Sequence, residues 1–81
     1  MRERLRELIK EKEAFKQVFC KRLVEIRTER KLLQRQMAEK LGVNLSTYSN
    51  WEQGRRAPHV NDIYNMLLVL EIDANDLFDL E

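Results

Sequence analysis

Between residues 34 and 54 two short groups of apolar residues stand at helical spacing, Met37, Ala38 and Leu41 in the first and Tyr48 and Trp51 in the second. Spacings of three and four residues put each group on one face of a helix. Helices are therefore predicted over 34–41 and from 45 to about 52. Between them Gly42 takes a positive φ freely and Asn44 caps the second helix, which makes a tight turn. Upstream, residues 2 to about 31 contain no Gly or Pro and consist mostly of good helix formers, so one long helix or two stacked ones are expected. Leu5, Leu8, Phe15, Phe19 and Ile26 fill five of seven places in a three-four ladder whose other places hold Lys12 and Arg22. Downstream, Arg55-Arg56-Ala57-Pro58 reads as a loop. A fourth helix over 60–70 turns Ile63, Met66, Leu67 and Leu70 inward, and a fifth over 74–78 does the same with Leu77 and Phe78.

An all-α chain of 81 residues forms one domain and buries only about 60–65% of the surface its unfolded form exposes. It contains no apolar run near the ~20 residues of a membrane span. The start Met1-Arg2-Glu3-Arg4 leads into no signal-peptide apolar stretch. Cys20 is the sole cysteine, which leaves no intrachain disulfide. Together these point to the cytoplasm.

A net charge of +1 conceals a division. Residues 20–60 carry nine Lys or Arg against four Glu, a local charge of +5, whereas residues 61–81 carry six acids and no base. A chain divided in this way can present its basic side to phosphates; a polarised but merely solvated surface is the alternative.

The parts of an enzyme are missing. His59 is the only histidine, and neither it nor Cys20 has a partner nearby in sequence. There is no Gly-rich phosphate loop and no metal-ligand spacing. Asp73, Asp76 and Asp79 recur every three residues without the Gly and terminal Glu of a Ca²⁺ loop, and read as helix-end charges. No catalytic residue, metal or cofactor is expected.

The second short helix opens on Leu45, Ser46, Ser49 and Asn50, which face away from Tyr48 and Trp51. Side chains this short or polar suit base edges in a major groove about 12 Å wide. The run Gln34-Arg35-Gln36-Met37-Ala38-Glu39-Lys40-Leu41-Gly42-Val43, followed by this helix, resembles the phage repressor and Cro type of helix-turn-helix domain over residues 19–78. The resemblance implies a compact five-helix repressor-like DNA-binding domain over 19–81, preceded by an N-terminal helical extension over 1–18. Phe19, Leu23 and Ile26 would then be the core stripe of the first helix.

By the same resemblance, Asn44, Leu45, Ser46, Ser49 and Asn50 fall where relatives contact bases. Asn50 suits a bidentate pairing with adenine and Leu45 a thymine methyl. Gln34, Thr47, Gln53, Arg55 and Arg56 fall where phosphates are held, and Arg27 and Glu52 match a salt bridge joining the first helix to the third. The chain departs from the pattern at three places: Lys31 replaces the usual Gly, Leu33 the usual polar cap, and Leu45 a commonly polar leading residue.

The implied function is a sequence-specific, double-stranded-DNA-binding transcriptional regulator, a repressor that binds a palindromic operator as a homodimer. An antitoxin or restriction-system controller, partnered by a toxin or regulatory protein, shares the domain. A protein-interaction adaptor that has lost DNA binding is the reading from another class, and the apolar Leu45 supports it. Residues 1–18 would extend the first helix as a dimer-forming coil, fold back over the domain, or stand in solvent.

Overall fold

The computed structural model describes the backbone of residues 2–78 and the side chains of residues 14–78. The side chains of Leu5, Leu8 and Lys12, and all of Asp79, lie outside the described residues. Five helices follow in order: α1 (Arg2–Glu29), α2 (Gln34–Leu41), α3 (Leu45–Gln53), α4 (Val60–Leu70) and α5 (Ala74–Phe78). Among the described residues there is no strand.

With no Gly or Pro to stop it, α1 is one helix of 28 residues, continuous through residue 18. At 1.5 Å per residue it is about 42 Å long, close to the 44 Å longest dimension of the molecule. Its last three turns contribute Phe19, Leu23 and Ile26 to a core completed by Met37, Ala38 and Leu41 of α2, Tyr48 and Trp51 of α3, Met66 and Leu70 of α4, and Leu77 of α5. Helices of eight and nine residues such as α2 and α3 are too short to stand alone in water, so burial of these faces holds them in shape. Phe78 fastens α5 to α1 by stacking on Phe15 at 5.2 Å and on Phe19 at 5.6 Å. The upper part of the apolar ladder thus meets α5, although Phe15 stays 51% exposed.

Helices α1 to α4 all end alike. In each, one residue turns left-handed and the next returns its N–H to a carbonyl five residues back: Leu32 to Arg27, Val43 to Ala38, Arg55 to Asn50, and Ile72 to Leu67. Gly42 and Gly54 supply the left-handed residue for α2 and α3, whereas Lys31 (φ 58°) and Glu71 (φ 54°) supply it for α1 and α4.

Helix starts are met in two ways. Asn44 Oδ1 accepts from the Thr47 N–H at 2.8 Å, and Asp73 and Asp76 cap each other's backbone at the start of α5. Leu33 and His59 offer no side-chain cap; instead Gln36 and Asp62, three residues on, accept the N–H of Leu33 at 2.8 Å and of His59 at 2.9 Å. One helix-start donor is thereby satisfied from inside the helix.

Two bases of the positive block fasten α1 and its end to the C-terminal helices. Arg30 donates to the Leu70 carbonyl at the end of α4, and Arg22 Nε donates to the Asp76 carbonyl of α5 at 2.7 Å. A cation at the carbonyl end of α4 is favoured by the helix dipole.

Candidate nucleic-acid interface

The turn between α2 and α3 consists of Gly42, Val43 and Asn44. Gly42 closes α2 in a left-handed conformation at φ 73°, Val43 is anchored through its N–H to the Ala38 carbonyl at 3.0 Å, and Asn44 opens α3. The inner face of α3 is fixed by Tyr48 and Trp51, both buried, whose rings meet edge to face at 6.2 Å. Trp51 is therefore a core residue.

The outer row follows from helical periodicity. Leu45 is 48% exposed at the head of α3, Asn44 and Ser46 are exposed beside it, and Ser49, Asn50 and Thr47 are half-buried. Gln53 donates to the Ser49 hydroxyl at 2.9 Å, one turn along the same face. Beyond Gly54, the Asn50 carbonyl accepts the Arg55 N–H at 3.0 Å and the Arg56 N–H at 3.4 Å. The two exposed arginines are thus folded back on the end of the helix that carries Ser49 and Asn50.

Behind this surface lies an ionic cluster joining three helices. Arg27 of α1 donates through Nε to Glu52 Oε2 at 2.7 Å and through a second nitrogen to Oε1 at 3.3 Å, while its third nitrogen holds the Leu32 carbonyl at 2.9 Å. Gln34, the first residue of α2, donates from Nε2 to Glu52 Oε1 at 2.9 Å. The Glu52 side chain is 4% exposed and that of Arg27 15%. Burial alone would raise the Glu52 carboxyl, but the hydrogen bonds it accepts, led by that from Arg27, outweigh burial and hold it below the usual carboxylate range. The hydrogen bond to Glu52 likewise outweighs desolvation at Arg27 and raises its guanidinium further. Next to the pair, burial first and then the adjacent Glu52 carboxylate push the Tyr48 phenol far up. Its hydroxyl is sealed from solvent and has no hydrogen-bond partner among the described residues.

One amide hydrogen of Gln34 is therefore spent inward. Its other one, with the unpaired backbone N–H groups of the first turn of α2, remains for an anion. Arg35 and Lys40 are exposed.

Two supporting contacts escaped sequence reasoning. Asn65 of α4 donates to the Leu41 carbonyl at 2.9 Å, holding the end of α2. Its one sequence signal is an amide next to the inward Met66 in the otherwise apolar run 63–70. Cys20 donates from Sγ to the Trp51 carbonyl at 3.3 Å, tying α1 to α3. Burial raises its thiol, with the charge of Lys16 opposing.

The sequence profile of the helix-turn-helix family matches residues 23–77. A protein of Bacillus subtilis (strain 168), described as the uncharacterized HTH-type transcriptional regulator YqaE, is 32% identical over 60 residues, which is 74% of this chain and 52% of that protein. The chain thus spans about half the length of this relative. No solved structure matches the chain.

Proposed function

We propose, for a chain that belongs to the helix-turn-helix family of the phage repressor and Cro type, that it is a sequence-specific double-stranded-DNA-binding transcriptional regulator acting as a repressor. One observation carries this reading. The turn at Gly42–Asn44 sets α3 with Tyr48 and Trp51 buried and the row Leu45, Ser46, Ser49 and Asn50 outward, and the Asn50 carbonyl brings Arg55 and Arg56 against the end of that row. A helix with short polar side chains next to a basic loop is what major-groove reading requires.

In this reading Asn44, Leu45, Ser46, Ser49 and Asn50 meet base edges, and Gln34, Thr47, Gln53, Arg55 and Arg56 meet phosphates. Arg27 and Glu52 fix the angle between α1 and α3. One reading helix covers few base pairs, so the protein acts as a homodimer on a palindrome whose half-sites lie about 34 Å apart. The extension 1–18 contributes to self-association, and the protein works in the cytoplasm.

Selection of bound sequences from a random duplex pool tests this. The expected product is a two-fold-symmetric site with half-sites about one helical turn apart, bound with a steep loss of affinity in salt. Leu45, apolar and half-exposed at the head of α3, supports the adaptor reading as the rival, which predicts recovery of no sequence and no salt-dependent binding.

A further inference from the structure

A groove of about 360 Å³ opens between α1, the end of α3 and the loop that follows it. Its walls are Phe15, Phe19, Trp51, Pro58 and Ile63. The Cys20 sulfur at its edge is already engaged with the Trp51 carbonyl, so its one hydrogen-bond donor needs no water. Volume and lining fall in the range of small-molecule sites, ~300–1,000 Å³ and mostly apolar. Nothing in the DNA-reading role of α3 uses this space.

Charge selects the occupant. Among the described residues, the two ionic groups that line the groove, Lys16 and Arg56, are both basic. Lys16 leans over Gly54, where its Cε lies 3.3 Å from the position a Cβ would take. An apolar trough whose ionic rim, among the described residues, is all cationic matches a molecule with an apolar body and one negative end.

We propose that this groove binds a small amphipathic anion such as a medium-chain carboxylate. The tail lies on Phe15, Phe19 and Trp51, and the carboxylate is held by Lys16 and Arg56. The assignment rests on the groove alone and stands whether or not α3 reads DNA. Arg56 would be shared between this anion and a phosphate.

Trp51 is the only tryptophan in the chain, so its emission reports on the groove directly. Decanoate, below micelle-forming concentrations, is added to the full chain without DNA while Trp51 fluorescence and backbone amide shifts are followed. The expected result is a saturable change with amide shifts centred on residues 15–20 and 51–58. Octanoate should bind roughly fifteenfold more weakly, at about fourfold per methylene, and decylammonium more weakly still. Lys16→Met, a change at an exposed residue that leaves the core untouched, should weaken decanoate several-fold with unchanged thermal unfolding. Equal binding of decylammonium would overturn the proposal. So would the absence of saturation, shifts centred elsewhere, or undiminished binding to Lys16→Met.

Discussion

Gln34 and Glu52 are joined by a 2.9 Å hydrogen bond, so the residue that opens α2 is held by the same carboxylate that anchors Arg27. Three helices therefore meet at one acid. A pair this enclosed adds little net stability, but removal of one partner strands the other charge at a cost of about 3–5 kcal/mol. We expect Arg27→Met or Glu52→Leu alone to lose about that much in denaturant unfolding, and the double change to recover most of it. Additive losses would mean that the two side chains do not interact.

The same acid sets an acid limit. Because the folded protein holds the Glu52 carboxyl below its ordinary range, the unfolded chain, with a value near ~4.3, takes up the proton first. The stability Glu52 provides is thus complete above that value and drains away as pH falls through the lower folded value. Unfolding followed from pH 6 to pH 2 should show a steep acid decline in the parent. Glu52→Gln, less stable at neutral pH, should show a flatter one.

Lys31 and Glu71 close their helices with positive φ, a conformation that costs a residue with a Cβ about 1–2 kcal/mol. Glycine removes that cost but returns about 0.4–1 kcal/mol through a freer unfolded chain. Lys31→Gly and Glu71→Gly should each raise the melting temperature by about 4 °C, or a little under 1 kcal/mol, in a domain of this size. A fall in either melting temperature would show that the lost side chain held something more valuable than the backbone strain.

On DNA, base and phosphate contacts should separate. We expect Arg55→Ala or Arg56→Ala to weaken all duplexes alike and to reduce the log–log salt slope by about one unit each. Asn50→Ala should relax the preference at one base position by about 1–3 kcal/mol. An unchanged selected site in Asn50→Ala would remove that residue from the reading face.

The helices were legible because apolar residues three and four apart have only one face to share: Met37, Ala38 and Leu41, then Tyr48 and Trp51, mark α2 and α3 without help from the rest of the chain. Gly42 and Gly54 announce two of the four left-handed closures. Of the other two, Lys31 stands where the resemblance puts a Gly, whereas Glu71 carries no signal of its own; both are held there by backbone bonds from Leu32 and Ile72. The missing cap at Leu33 was legible, but its remedy at Gln36 was not recognised, because the reach-back half of a capping box is read only beside a polar first residue. Contacts far apart in sequence, such as Arg30 to the Leu70 carbonyl and Asn65 to the Leu41 carbonyl, follow from how helices pack and lie beyond any periodicity.

The three residues between α2 and α3 leave no slack. Gly42 is committed to ending one helix, Asn44 to starting the next, and Val43 to the Ala38 carbonyl. A helix turns about 100° per residue, so an insertion absorbed into either helix would swing Tyr48 and Trp51 out of the core or carry Ser49 and Asn50 inward. The loop after Gly54, with Arg55, Arg56 and Ala57 exposed, has room to grow. Over evolutionary time this protein can change the length of its chain after α3, whereas between α2 and α3 the number of residues is as much a part of its identity as their kind.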